Sequence, residues 1–107
     1  PSREALSMAF KSYHHLKAGD TVSIQHYLWG PDGSVSIVEE IEGLVLEVLK
    51  SRLAIEFVWR VWEGDLPWDE QRQAKTVQHF SRQGGQRRGA VEDDYRIHPQ
   101  HATKKDG

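Results

Sequence analysis

The chain predicts a mainly β fold organised on an antiparallel hairpin, and three features carry that expectation. Residues 43–62 hold two β-rich runs, Gly-Leu-Val-Leu-Glu-Val-Leu and Leu-Ala-Ile-Glu-Phe-Val-Trp-Arg-Val-Trp, around a short polar break, Lys50-Ser51-Arg52. Along the second run Leu53, Ile55, Phe57, Trp59 and Val61 share one parity, while Glu56 and Arg60 fall on the other. Alternation of period 2 puts one face in a core and the other in water. Gly30-Pro31-Asp32-Gly33 is a turn signal, because proline presets φ and glycine tolerates positive φ, so the chain doubles back at Ser34.

The remaining elements follow in order. Ser2 is placed to cap an amphipathic N-terminal α-helix over residues 3–15, with Leu6, Phe10 and Tyr13 at i, i+4 and i+7, ending near Gly19. Val22, Ile24 and Leu28 then alternate with Thr21, Ser23, Gln25 and Tyr27 as a half-buried strand, with His26 on the apolar parity. Residues 35–49 admit two readings. As strand, Val35 and Ile37 alternate on one parity and Leu44, Leu46 and Val48 on the other, joined by a bulge or bend near Glu39–Gly43 that Gly43 suits. As helix, Ser36 and Glu39 fit a capping box and Val38, Ile41, Val45 and Val48 are helically spaced. Strand is preferred, since glycine mid-helix costs ~1 kcal/mol and the break at 50–52 resembles a hairpin turn.

Pro67 is placed to start a short helical insertion through 69–74, with acids in its first turn. Residues 76–81 read as an edge strand, 82–89 as a flexible basic loop, and 91–97 as a last short strand ended by Pro99. One domain is expected over residues 1–99, with 100–107 as a flexible tail.

Composition narrows the function classes. There is no cysteine among the 107 residues, which removes disulfides, thiol nucleophiles and Cys-ligated metals and fits a cytoplasmic setting. No apolar run approaches the ~18 residues of a membrane-spanning helix, and 6–10 is too short and polar for a signal-peptide core. The net charge of −2 hides an asymmetry. Residues 1–70 carry 6 Lys/Arg against 12 Asp/Glu, and residues 71–107 carry 8 against 4. No acid falls between Gln71 and Val91, while Arg72, Lys75, Arg82, Arg87 and Arg88 all do.

The pieces Ala18-Gly19-Asp20-Thr21-Val22, Gly43-Leu-Val-Leu-Glu-Val, Leu53-Ala-Ile-Glu-Phe and the closing Val91-Glu-Asp-Asp-Tyr-Arg-Ile97 form a five-strand meander pattern. That pattern, over about residues 17–99, resembles a small SH3-like antiparallel β-barrel, with the Tudor and KOW branches nearest. The N-terminal helix and the insertion at 66–75 depart from it. The resemblance implies a binding module and transfers no specific ligand residue.

Two sets of side chains point to chemistry. The basic set Arg72, Lys75, Arg82, Arg87 and Arg88, interleaved with His79, Phe80 and glutamines, suits contact with DNA or RNA phosphates. Against it stands a pI of about 6.3, below the ~9 of dedicated nucleic-acid modules. The aromatic set Tyr27, Trp29, Trp62, Trp68 and Phe80 suits a cation-binding cage, base stacking or a protein interface such as a homodimer; the same rings can equally cover a small core. His14 and His15 point about 100° apart on a helix, and His98 and His101 straddle Pro99, so no metal site is assembled. The clusters Glu39-Glu40-Glu42 and Glu92-Asp93-Asp94 alternate faces and make no acid/base pair, and no serine sits in a nucleophile elbow. The expectation is a non-enzymatic module without cofactor, metal or membrane contact. Nucleic-acid binding is the first reading, and protein interaction or self-assembly through exposed tryptophans is the alternative.

Overall fold

Residues 43–61 form an antiparallel hairpin in the computed structural model, which describes residues 11–61, 64–88 and 94–102, with the backbone alone at Trp68. Strand β2 (Val35–Val48) and strand β3 (Arg52–Val61) run antiparallel, Val45 opposite Ile55 and Val48 opposite Leu53. The Leu49 N–H donates to the Arg52 carbonyl at 2.9 Å and closes the turn. Strand β1 (Thr21–Trp29) pairs with β2, strand β4 (Arg72–Ser81) with β3, and strand β5 (Asp94–Ile97) returns to the other side of β1. The order β4-β3-β2-β1-β5 makes one antiparallel sheet curled into a half-barrel.

The concave side holds the core. Leu53, Ile55 and Phe57 of β3 pack there with Val22, Ile24, Val45, Phe80, Tyr95 and Ile97. Tyr13 and Leu16, ahead of β1, join them, and the Tyr13 hydroxyl donates to the Ile97 carbonyl at 3.2 Å. Full burial of a side chain of this size contributes about 2–3 kcal/mol, so this short segment is a real part of the fold. The turn between β1 and β2 is closed by Gly30 N–H to Ser34 C=O at 2.8 Å. Asp32 Oδ1 accepts from the Ser34 hydroxyl and amide, which holds its carboxyl below the usual range.

Residues 35–48 are strand, not helix, with one irregularity beside the 39–43 stretch and a second beyond it. Val38 is the extra residue between the pairs His26–Glu39 and Tyr27–Ile37, and Leu46 the extra one between Val45–Ile55 and Glu47–Ala54. Each bulge flips the parity that follows, which is why one alternation cannot be drawn through the whole strand.

Three further expectations are corrected. The N-terminal helix is not formed over 11–15: Ser12 bridges Gln83, and Tyr13 N–H donates to the Arg82 carbonyl at 2.8 Å. Its remainder, 3–10, lies outside the described residues. The insertion at 67–74 is a single 3-10 turn, Trp68–Glu70, after which β4 begins at Arg72, so pairing with β3 overrides helix propensity from there. Residues 100–102 are not a free tail, because Pro99–His101 forms a 3-10 turn docked on β1. The last strand is Asp94–Ile97; its predicted start at 91–93 lies outside the described residues.

Candidate functional site

The five basic side chains do not make one stripe. Arg72 opens β4 opposite Val61, and Lys75 lies opposite Val58 with Nζ 3.8 Å from Oε1 of Glu56. Arg82 follows the far end of the strand; ten residues of extended chain put it about 33 Å from Arg72.

The loop from Arg82 to Arg88 is ordered, contrary to the flexible segment its glycines predict; Gly89 lies outside the described residues. Arg82 is the reason. Its Nη1 donates to the carbonyls of Leu49 at 2.8 Å and Lys50 at 3.3 Å, and its Nη2 to the carbonyl of His14 at 2.8 Å. One planar guanidinium thus satisfies carbonyls from two separate turns, which a flexible ammonium does poorly. The backbone adds Arg82 N–H to Ser51 C=O at 3.0 Å and Gly84 N–H to Lys11 C=O at 3.0 Å. Beyond these, Gln86 bridges Arg96 and Arg87 bridges Phe80, stitching the end of β4 to β5.

Arg87 is turned towards the aromatics. Its guanidinium carbon lies 5.8 Å from the Trp59 ring centre and 5.6 Å from that of Tyr95, with Nη1 3.4 Å from Oε1 of Gln78. At these distances the ring quadrupoles attract the cation. Arg88 is exposed, and its Nη1 reaches the Ser51 hydroxyl at 3.4 Å.

The meeting point is therefore Ser51, at the tip of the β2–β3 turn. Lys50 and Arg52 flank it and are exposed, Arg88 bonds to it, and Arg82 holds the turn from below. Glu47, opposite Ala54, is the carboxylate on the strands next to this turn. In the sequence Lys50 and Arg52 read only as a polar break. The available signal is two cations in a tight turn, but nothing local says that residue 88 arrives beside residue 51.

Of the described aromatics in the set, Tyr27 and Trp29 meet and Phe80 belongs to the core. Phe80 is completely buried, its ring 5.8 Å from Phe57, so it is a core residue and offers no face for stacking. Tyr27 is buried as well, edge-on to Trp29 at 5.6 Å and under the Arg96 guanidinium at 4.9 Å. Trp29 is 38% exposed. Trp62 and the side chain of Trp68 lie outside the described residues.

A groove of about 320 Å³ runs between β1, β2 and the Pro99–His101 turn, with Glu40 and Glu42 on one side and Gln100 and His101 on the other. Glu40 is held in place: Gln25 Nε2 donates to its Oε1 at 3.2 Å, and buried Arg96 Nε donates to Gln25 Oε1 at 2.9 Å. Among the described residues no three His, Asp or Glu side chains are grouped as metal ligands, and no helix is long and apolar enough to cross a membrane. No protein family, no curated protein and no solved structure matches the chain.

Proposed function

We propose that this is a non-catalytic binding module that takes the phosphate backbone of a nucleic acid at the tip of the β2–β3 turn. Lys50, Arg52 and Arg88 are the contacting cations, and Arg82 is the residue that holds their surface in shape. The observation that carries the reading is the Arg88–Ser51 contact at 3.4 Å, which gathers three exposed cations from two parts of the chain. Lysine and forked guanidinium groups neutralise phosphates, while a rigid turn lowers the cost of ordering them. The meander of strands with its brief closing β5 supports reading the half-barrel as SH3-like, a scaffold on which turns carry binding surfaces.

Three phosphate contacts give a log-affinity slope against log salt of about −2 for single strands and about −3 for duplex. The test is fluorescence anisotropy of labelled single-stranded RNA, single-stranded DNA and duplex DNA between about 50 and 200 mM salt. Binding to at least one that weakens with that slope, and that is lost in K50A/R52A/R88A but retained in R72A/K75A, is the expected result. No binding at about 50 mM salt, or equal losses in the two multiple variants, overturns it.

A second reading, self-association, is favoured by the outer sheet face. Leu44, Val58 and Val77 are 39%, 40% and 47% exposed there, and Leu44 and Val77 sit on either side of Glu56 in register. A dimer in sedimentation velocity that V77D dissociates, in a chain that shifts no oligonucleotide, would favour it over the first.

A further inference from the structure

We propose that His101 is a pH-sensitive clasp that fastens the Pro99–His101 turn to β1 at neutral pH and releases it on protonation. Strand β5 ends at Ile97, and Pro99 has no N–H with which to continue the ladder. Ser23 of β1 would otherwise keep both backbone groups unpaired on that side. The turn supplies both partners: His98 N–H donates to the Ser23 carbonyl at 2.8 Å, and the Ser23 N–H donates to Nε2 of His101 at 3.0 Å. An imidazole nitrogen accepts a hydrogen bond only when it carries no proton. The clasp therefore requires the neutral tautomer with hydrogen on Nδ1. Protonation of Nε2 sets two donors facing each other at 3.0 Å, and the bond is lost.

The surroundings set where this happens. Partial burial lowers the His101 pKa, and the neighbouring His98 on its own turn and His15 from the segment ahead of β1 lower it further. Glu40 and Glu42 of β2 line the same groove and pull the other way. The net direction is down, so the clasp holds through neutral pH and opens on the acid side of the ordinary value near 6.5. Opening removes Gln100 and His101 from one wall of the groove and leaves the Glu40–Glu42 wall facing solvent.

His98 is the natural confounder, because its Nδ1 accepts the Gln100 N–H at 3.0 Å as a helix cap and its Nε2 lies 3.6 Å from Glu40. Two variants separate the histidines. His98→Asn keeps a capping acceptor that does not titrate. His101→Gln offers Ser23 a carbonyl that does not titrate.

The experiment is amide hydrogen exchange at Ser23 by NMR across the acid range, normalised to unstructured rates, with nitrogen-detected spectra of the His101 ring. At neutral pH Nε2 is expected bare and Nδ1 protonated. Ser23 protection in the native chain and in His98→Asn should fall about tenfold per pH unit from the ordinary imidazole value near 6.5 down to the lowered His101 titration, the signature of one proton taken up on opening. In His101→Gln that dependence should vanish. A ring protonated on Nε2 at neutral pH, Ser23 protection unchanged through the titration, or the native dependence persisting in His101→Gln would each overturn the clasp. Should His101→Gln show no protection at any pH, the ring tautomer and the native profile decide.

Discussion

The ring of Tyr13 occupies the space that a side chain on Gly85 would need. A Cβ on Gly85 would fall 2.5 Å from Cε2 and 2.8 Å from Cζ of that ring, and Gly85 itself has φ of 72°. This pair locks the segment ahead of β1 to the turn after β4. Gly85→Ala is expected to cost about 3 kcal/mol, from left-handed backbone strain and overpacking together. Gly19, at φ 96° with nothing within 4 Å of where a Cβ would stand, is the control. There alanine should cost only the backbone share, about 1–2 kcal/mol. Urea denaturation of the two variants checks the difference, and equal losses would refute the Tyr13 contact as its cause.

Gly43 gives the second prediction. Its φ is ordinary, but a Cβ would lie 2.8 Å from Cγ2 of Ile55 and 3.1 Å from Cγ1 of Ile24, both fully buried. Neither neighbour has room to retreat in a close-packed core. Gly43→Ala is expected to destabilise by about 1–3 kcal/mol despite alanine's better strand propensity. A shift in the urea midpoint towards stability would show that the sheet relaxes around the extra carbon.

These two glycines also show what is legible in the sequence. The β2–β3 hairpin can be read because its signal is local: Leu53, Ile55 and Phe57 alternate, and Lys50-Ser51-Arg52 interrupts two β-rich runs. Gly43 stands out in the sequence but suggests the wrong task, since a bend and a tight packing site both call for a missing side chain. Leu6, Phe10 and Tyr13 share helical spacing, yet Tyr13 is placed by Gly85 and Ile97, more than 70 residues away. The glycines and arginines of 82–88 describe a solvated loop until Arg82 finds the carbonyls of Leu49, Lys50 and His14. Likewise the basic surface at Ser51 is produced by topology, which no charge run along the chain reveals.

Arg82 and Arg88 should therefore part company on mutation. Arg82→Lys removes the fork that joins the turn at 49–51 to the His14 backbone, and a loss of about 2–3 kcal/mol is expected. Amides of residues 50, 51 and 83–85 should exchange faster. Arg88→Ala, on an exposed side chain, should change stability by less than about 0.5 kcal/mol and lower oligonucleotide affinity instead. Thermal melts and anisotropy on both variants make the comparison. Large destabilisation by Arg88→Ala would remove it from the proposed contact surface and make it a structural residue.

Alkaline pH tests the core from another side. Tyr13 and Tyr27 both have pKa values pushed up to about 12, first by burial; at Tyr27 the Asp94 charge pushes further up, and Arg96 opposes the rise at both. In the unfolded chain a tyrosine ionises near 10. The folded state therefore keeps protons that the unfolded state has released, and stability falls as pH rises. The contribution is complete below pH 10 and is lost between 10 and about 12. Two groups acting together make the fall steeper than one. Spectrophotometric titration of tyrosinate is expected to show Tyr13 and Tyr27 ionising late and cooperatively with unfolding, and Tyr27→Phe to make that alkaline transition shallower. If both tyrosines ionise near 10 while near-ultraviolet circular dichroism stays native, their burial against Ile97 and beneath Arg96 is wrong.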